Sequence, residues 1–417
     1  MSHLNRILLL KSACPCTPKR QINENKELLE QVLAIRGARP GMGAFFCACG
    51  LVMWHLCNMA ILEQRMEASA FLEAARKSVV LDVRSPIEFA QGHLPGALSF
   101  PLFLDEERAA VGTIYKKVGK AEAIDEGLGF VAPKLRSLAA RARELFHGQE
   151  QRKPLLVYCW RGGMRSESVD WLLRTADIAT ARCDGGYKAC KRHFNHILAQ
   201  DRPYVVIGGM TGSAKTEVIR ALHSQKAKTL DLEGFAKHFG SAFGNLDDHA
   251  QPSTEHFTNL LAWELMALDL DGASGPIWVE NESRQIGKIH VPEMFHKHLR
   301  HAPVLELERT EADRIAHLMS MYGKASRKSL IDAFERIRSK LGGQHTQSAV
   351  ELVEVGDLAS AARIALVYYD KTYRHGLDRH HLTRAVDARG LQPDAVATLC
   401  RRIHNDWNPW QLPQTSN

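Results

Sequence analysis

The stretch YVVIGGMTGSAKTEVIRAL, Tyr204 to Leu222, constrains the fold more than any other part of the chain. An apolar run, Tyr204 to Ile207, leads into a glycine-rich turn and then into a segment of helical period. A strand, a tight turn and a helix in that order are what a phosphate-binding loop requires. The backbone N–H groups of Gly209, Met210, Thr211, Gly212, Ser213 and Ala214 would cradle phosphate oxygens. Lys215 would reach the terminal phosphates, and the Thr216 hydroxyl could hold Mg²⁺. Such a strand belongs in a parallel sheet covered by helices, so the class is α/β. The sequence departs from the rule at Ala214, which stands where glycine precedes the lysine. A Cβ there is expected to crowd the phosphate or to shift the loop.

A second stretch, VYCWRGGMRSES from Val157 to Ser168, has the same strand-and-turn grammar but carries a thiol. An apolar run ends at Cys159, and two arginines, two glycines and a serine follow at once. Ser166 is expected to cap the next helix. That arrangement sets loop amides and a helix N-terminus around the sulfur, a setting that supports an anion. Most free cysteines are small buried hydrophobes. Two arginines within six residues, Arg161 and Arg165, make Cys159 a chemical cysteine instead. Upstream, LDVRSPIEF and GHLPGA read as a strand ending near Asp82, a turn, a helix and a Gly/Pro corner. Asp82, Arg84 and Glu88 are read as ion pairs that fix the strand-end loop.

Beyond the phosphate loop, GPIWVENESRQIG delivers Glu280, Glu282 and Arg284 to the carboxyl end of a strand, where a ligand of an open α/β sheet lies. One of the carboxylates could hold a metal through water; no metal site is assigned. VLELERTEADRIAHL resembles the strand and arginine-bearing helix that contacts phosphates in small-molecule kinases, which makes Arg309 and Arg314 further candidates, weaker than Lys215. Basic clusters at GKASRKS, ERIRSK and KTYRHGLDRHH, with Tyr368, Tyr369 and Tyr373 beside the last, could meet nucleic-acid phosphates and stack bases. A solvated helix face is the plainer reading of such runs.

Fifty-four basic against 47 acidic residues give a net charge of +7, compatible with a polyanionic partner. The nine cysteines show neither disulfide-framework nor zinc-ligand spacing, which fits a reducing, cytoplasmic setting. Five of them fall in the first 66 residues, beside an uncharged run from Pro40 to Leu62. The run is long enough for a membrane span but is broken by His55, Asn58 and glycines. Residues 1–65 are therefore expected to be a poorly ordered extension, with Met66 as an alternative start and no membrane contact.

LDVRSPIEF, GHLPGA and the cysteine loop resemble a rhodanese domain, which carries sulfur on a cysteine. Five residues separate Cys159 from Arg165, one more than in the usual rhodanese loop. That width resembles the rhodanese-fold phosphatases of the cell-cycle type, although those have a histidine where this chain has Tyr158. From about Met66 to Leu377 the chain resembles the tRNA 2-selenouridine synthase family. DVRSPIEF, ERAAVGTIYKKVG, CWRGGMRS, DGGYKA, IGGMTGSAKT, LDLEGFAKHFGSAFG, ENESRQIG and YYDKTYR carry the likeness. The resemblance implies a rhodanese-like domain at 66–200, a P-loop NTPase-like parallel-sheet domain at 201–390 with a helical C-terminal region, and a tail at 391–417. It also implies a transferase acting on tRNA with wobble 2-thiouridine. The sulfur would be geranylated from geranyl diphosphate and then replaced by selenium from selenophosphate. No tightly bound cofactor is implied, although Mg²⁺ is compatible. Cys159, Arg161 and Arg165 would serve the selenium step, with a perselenide on Cys159 left open. The alternative is a rhodanese-type sulfurtransferase joined to an ATP-dependent small-molecule kinase.

Overall fold

Short apolar runs between Arg65 and Cys183 pair into one parallel sheet: β1 (Arg65–Met66), β2 (Val80–Asp82), β3 (Leu98–Ser99), β4 (Leu155–Tyr158) and β5 (Thr180–Cys183), in the order β1-β5-β4-β2-β3. β2, β4 and β5 are buried along their whole length, as expected of parallel strands covered on both faces. Their side chains alternate between two cores. Val80, Leu156 and Tyr158 face helices Ala68–Ala75 and Gly186–Ala199. Leu81, Leu155 and Val157 face helices Leu135–His147 and Met164–Thr175. The structure is a computed structural model and describes residues 64–238, 250–271, 275–323, 325–377 and 382–407. Most of the expected N-terminal extension lies outside these. Its last residues do not: Arg182 N donates to Gln64 O, and Arg65 is half of β1.

The second half repeats the logic. β6 (Tyr204–Gly209), β7 (Lys228–Leu230) and β8 (Ile277–Glu280) are followed by an antiparallel hairpin, β9 (Gln285–Ile286) with β10 (Ile289–His290), and then by β11 (Val304–Glu308) and β12 (Thr383–Asp387). The five long-range strands form a parallel sheet ordered β12-β11-β6-β8-β7, with β6 at its centre. Register sets Ile207 beside Glu280 and Gly208 beside Glu306. Two carboxylates therefore flank the strand that feeds the phosphate loop. Five helices from Glu311 to Leu377 lie between β11 and β12 and have their own apolar core. The segment read as a tail is instead a packed helix, Pro393–Trp407. Its apolar face buries Val396, Ala397 and Cys400 against the helix Lys215–Ser224 and the sheet.

The two sheets share a core. A single apolar cluster runs from Phe71 and Tyr158 of the first half to Val206, Leu261 and Phe295 of the second. Helix Thr254–Leu270 makes the polar part of the junction. Tyr187 Oη donates to Glu255 Oε1 at 2.9 Å, Asn259 Nδ2 donates to Tyr187 Oη at 2.7 Å and to His93 O at 2.9 Å, and Lys191 pairs with Glu255 at 2.6 Å. The described residues form one compact unit. None of their helices is long and apolar enough to cross a membrane.

Candidate active site

Cys159 follows directly on β4 and is only 3% exposed. Its Sγ lies 3.3 Å from Ser166 Oγ and 3.7 Å from Gly163 O. The following helix starts at Met164 with Gly163 as its N-cap, three residues earlier than the sequence suggested. Ser166 is thus not the cap. It sits fully buried inside the first turn, and its hydroxyl donates to Gly163 O at 2.9 Å. The glycines of DGGYKA form the socket of the loop. Tyr187 N donates to Cys159 O and Lys188 N to Trp160 O, at 2.9 and 3.0 Å. A Cβ on Gly186, whose φ is +59°, would fall 2.3 Å from Cys159 O and 2.4 Å from Gly162 N. Only glycine allows that approach.

The arginines take separate positions. Arg161 is exposed. Arg165 donates to Glu88 Oε2 at 2.6 Å and to Oε1 at 3.4 Å, and Glu88 also accepts from Ser85 N at the start of helix Pro86–Gln91. Burial works to raise the Glu88 carboxyl, but the Arg165 hydrogen bond and charge, with Ser85 and Arg108, hold it below its ordinary range. Behind the loop, Arg84 forks onto Asp82 and donates to Gly92 O at 2.7 Å, and Tyr158 Oη donates to Asp82 Oδ2 at 2.7 Å. The guanidinium lies 3.9 Å above the centre of the Tyr187 ring. A buried cation is tolerable there because its charge is paired and its face is covered.

In the second half, the loop after β6 turns through Gly209, Gly212 and Ala214 before helix Lys215–Ser224 begins. Lys215 Nζ donates to Gly209 O at 2.9 Å, across the mouth that a phosphate would fill. Ala214 has φ +65° and ψ +37° and is 5% exposed. The consequence of losing glycine is therefore a left-handed backbone on an L-residue, which costs roughly 1–2 kcal/mol.

Thr216 Oγ1 lies 2.7 Å from Glu233 Oε2 and 2.9 Å from Glu280 Oε2, and Glu233 N donates to Glu280 Oε1 at 2.8 Å. One hydroxyl proton serves only one of those oxygens, so the other contact needs a protonated carboxyl. The electrostatics agree. Burial and then the charge of Glu282 push Glu233 up to about 8. Burial, Glu233 and Glu282 raise Glu280 well above the usual range, and burial also raises Glu282.

Residues 62–212 match the rhodanese-like domain profile, and residues 202–402 match the tRNA 2-selenouridine synthase AAA domain. The tRNA 2-selenouridine synthase of Nitrosomonas europaea is 32% identical over 358 residues, which span 75% of this chain and 92% of that one. Its counterpart in Chromohalobacter salexigens is 34% identical over 332 residues, 72% of this chain and 88% of that one. The chain belongs to the tRNA 2-selenouridine synthase family.

Family membership spans both halves, and the fold sorts the candidate residues within it. The loop from Gly209 to Thr216 is gathered with Glu280 and Glu282. Arg284 is not part of that group; it makes an exposed pair with Glu293. Arg309 donates to Leu391 O and so ties down the chain after β12. Arg314 is buried against the phosphate loop. Its Nε donates to Thr211 O at 2.8 Å, its Nη1 lies 3.4 Å from Met210 Sδ, and its fork holds Asp370. Tyr373 is an inward residue rather than a base-stacking one. It donates to Glu306 Oε2 at 2.6 Å and accepts from Gly209 N at 2.7 Å. Arg338 pairs with Glu335 on the surface, and Arg327 and Arg336 are exposed. The side chain of Arg374 and residues 378–381 lie outside the described residues. Glu233, Glu306 and Asp370 escaped the sequence reading, and Tyr373 was read only as a base-stacking residue, although YYDKTYR contains both Asp370 and Tyr373.

Proposed function

We propose that this chain converts wobble 2-thiouridine in tRNA to 2-selenouridine in two steps, one at each loop. The observation that carries the reading is the joining, through one core, of a phosphate loop and a cysteine loop inside a chain of this family. In the first step the sulfur of 2-thiouridine attacks C1 of the geranyl group. The C–S bond forms as the C–O bond breaks, the electron pair leaves on diphosphate, and the nucleobase loses a proton. Lys215 and the loop amides hold the diphosphate and stabilise its charge as it leaves. Among the described residues no three acids or histidines converge as a self-sufficient metal site. Mg²⁺ is commonly held by one or two carboxylates plus substrate phosphates, and Thr216, Glu233 and Glu280 offer suitable hard donors. When bound, the ion would neutralise diphosphate charge.

In the second step alkylation has made the sulfur a better leaving group. Selenium of selenophosphate bonds to C2 as the C2–S bond breaks, geranylthiolate leaves with the electron pair and takes a proton, and water splits the P–Se bond to give phosphate. The selenium is already at the selenide level, so no oxidant is needed. A perselenide formed on Cys159 by attack on selenium would instead expel phosphorus at the phosphite level. The reading therefore gives Cys159, Arg161 and Arg165 the task of holding and aiming the donor. The test is nucleoside mass spectrometry on thiolated tRNA incubated with geranyl diphosphate and selenophosphate. Appearance of the geranylated nucleoside followed by 2-selenouridine supports the reading; consumption of ATP with neither product would favour the kinase alternative.

A further inference from the structure

The loop that carries Cys159 is built to hold an anion. From Trp160 to Ser166, seven consecutive backbone N–H groups donate to no group among the described residues. Gly162 turns the loop with a φ of +70°, and helix Met164–Thr175 adds its positive end. A run of unpaired amides on a tight loop is a nest for an oxyanion. Arg165 puts a guanidinium on the first turn of that helix, where a cation is ordinarily unfavourable, and Glu88 holds it there. So much positive charge beside one sulfur calls for a multiply charged anion, and selenophosphate is one.

Holding that anion does not explain the thiol. A thiol adds one weak donor to the cradle, and a thiolate would repel the ligand. The sulfur has a use as a nucleophile, and selenophosphate offers it two atoms. Attack on selenium expels phosphorus at the phosphite level. Attack on phosphorus leaves selenium at the selenide level that the product needs. We infer that Cys159 attacks phosphorus, so that the cysteine loop is a phosphoryl-transfer site working through an S-phosphocysteine. The inference rests on the proposed selenium step and replaces one event in it, the splitting of the P–Se bond by water alone.

The S–P bond forms as the P–Se bond breaks, and the electron pair leaves on selenium. The thiol proton goes with it as hydroselenide and ends on the nucleobase once selenium has displaced geranylthiolate at C2. Water then attacks phosphorus, the S–P pair returns to sulfur, and hydrogen phosphate and the thiol are formed. Cys159 is 3% exposed, so its Sγ is the floor of the cradle. In-line displacement therefore sets selenium on the open side, where the base must enter. Ser166 Oγ, 3.3 Å from Sγ, is placed to donate to the sulfur as it leaves phosphorus.

The test incubates the full chain with selenophosphate alone, quenches it in denaturant and reads the Cys159 peptide by mass spectrometry. The wild-type peptide should gain one phosphoryl group, and the Cys159→Ser peptide none. Ser166→Ala should accumulate the most, because losing a hydrogen bond to the departing sulfur slows hydrolysis roughly tenfold. Calorimetry with orthovanadate is a second measurement that does not depend on that variant folding. Vanadate takes Sγ as a fifth ligand, so the wild type should bind it at least about a hundredfold more tightly than phosphate, and Cys159→Ser should lose the preference. Absence of the adduct from the wild type and from a folded Ser166→Ala would overturn the inference. Equal wild-type affinity for vanadate and phosphate would do so on its own, as would selenium in place of phosphorus on Cys159. 2-Selenouridine formed without any adduct would remove the nucleophile and leave the proposed function standing. An adduct that forms while geranylated tRNA yields no 2-selenouridine would keep the nucleophile and remove the proposed selenium step.

Discussion

Ala214 carries a left-handed backbone at the turn into helix Lys215–Ser224, a conformation that glycine adopts without strain. Relief of about 1–2 kcal/mol of strain competes with about 0.4–1 kcal/mol of extra chain entropy in the unfolded state. Ala214→Gly should therefore stabilise the protein by between about 0 and 1.6 kcal/mol, read as a rise of up to a few degrees in the thermal midpoint. A fall would mean that the alanine methyl contributes packing worth more than the strain. Gly186 presents the opposite case. Its φ is +59°, and an added methyl would run into the Cys159 carbonyl and Gly162 N. Gly186→Ala should displace the cysteine loop and abolish selenium incorporation. Geranylation, assigned to the other loop, should persist, and the two products can be followed by mass spectrometry of tRNA nucleosides.

At the scale of elements, the long helix Leu358–Leu377 acts as a clamp on a loop more than 140 positions earlier in the chain. Asp370 holds Arg314, which holds Thr211 O; Tyr373 holds Gly209 N. Asp370→Asn weakens a charged pair that is mostly buried on the arginine side. It should cost about 2 kcal/mol of stability and weaken pyrophosphate binding roughly tenfold, measured by denaturant unfolding and calorimetry. Unchanged affinity would show that the loop is shaped without the clamp. These contacts also mark where reading the sequence stops. Both loops were legible because strand, turn and chemical residue are adjacent in the chain, so local patterning carries the signal. Arg314–Asp370 and Tyr373–Glu306 join residues 56 and 67 positions apart, and only the folded sheet aligns them. The early helix start at Met164 was hidden because its N-cap, Gly163, has no side chain to advertise it. The half-buried Glu233 was passed over because an acid two residues after Asp231 in LDLEGF reads like any first-turn glutamate.

For the whole molecule, the shared core makes the junction between the halves part of its stability. His93 stacks on Phe89 and on His256, with ring centres 3.8 and 4.0 Å apart. Burial and the neighbouring His93 push His256 down to about 4. Its folded value lies below the usual 6.5, so the unfolded chain binds the proton first. The contribution of this histidine to stability is complete above about pH 6.5 and is lost as pH falls towards 4. His256→Gln should flatten that slope in urea unfolding at a series of pH values; an unaltered slope would place the acid sensitivity elsewhere.

The central claim is that one molecule divides two reactions between two loops. Nucleoside mass spectrometry on tRNA incubated with geranyl diphosphate, selenophosphate and single variants tests it most directly. Lys215→Ala should leave 2-thiouridine unaltered, because the charge that meets the diphosphate is gone. Cys159→Ser should alkylate normally and accumulate the geranylated nucleoside without 2-selenouridine. Both variants stalling at the same nucleoside, or Cys159→Ser still producing 2-selenouridine, would contradict the account.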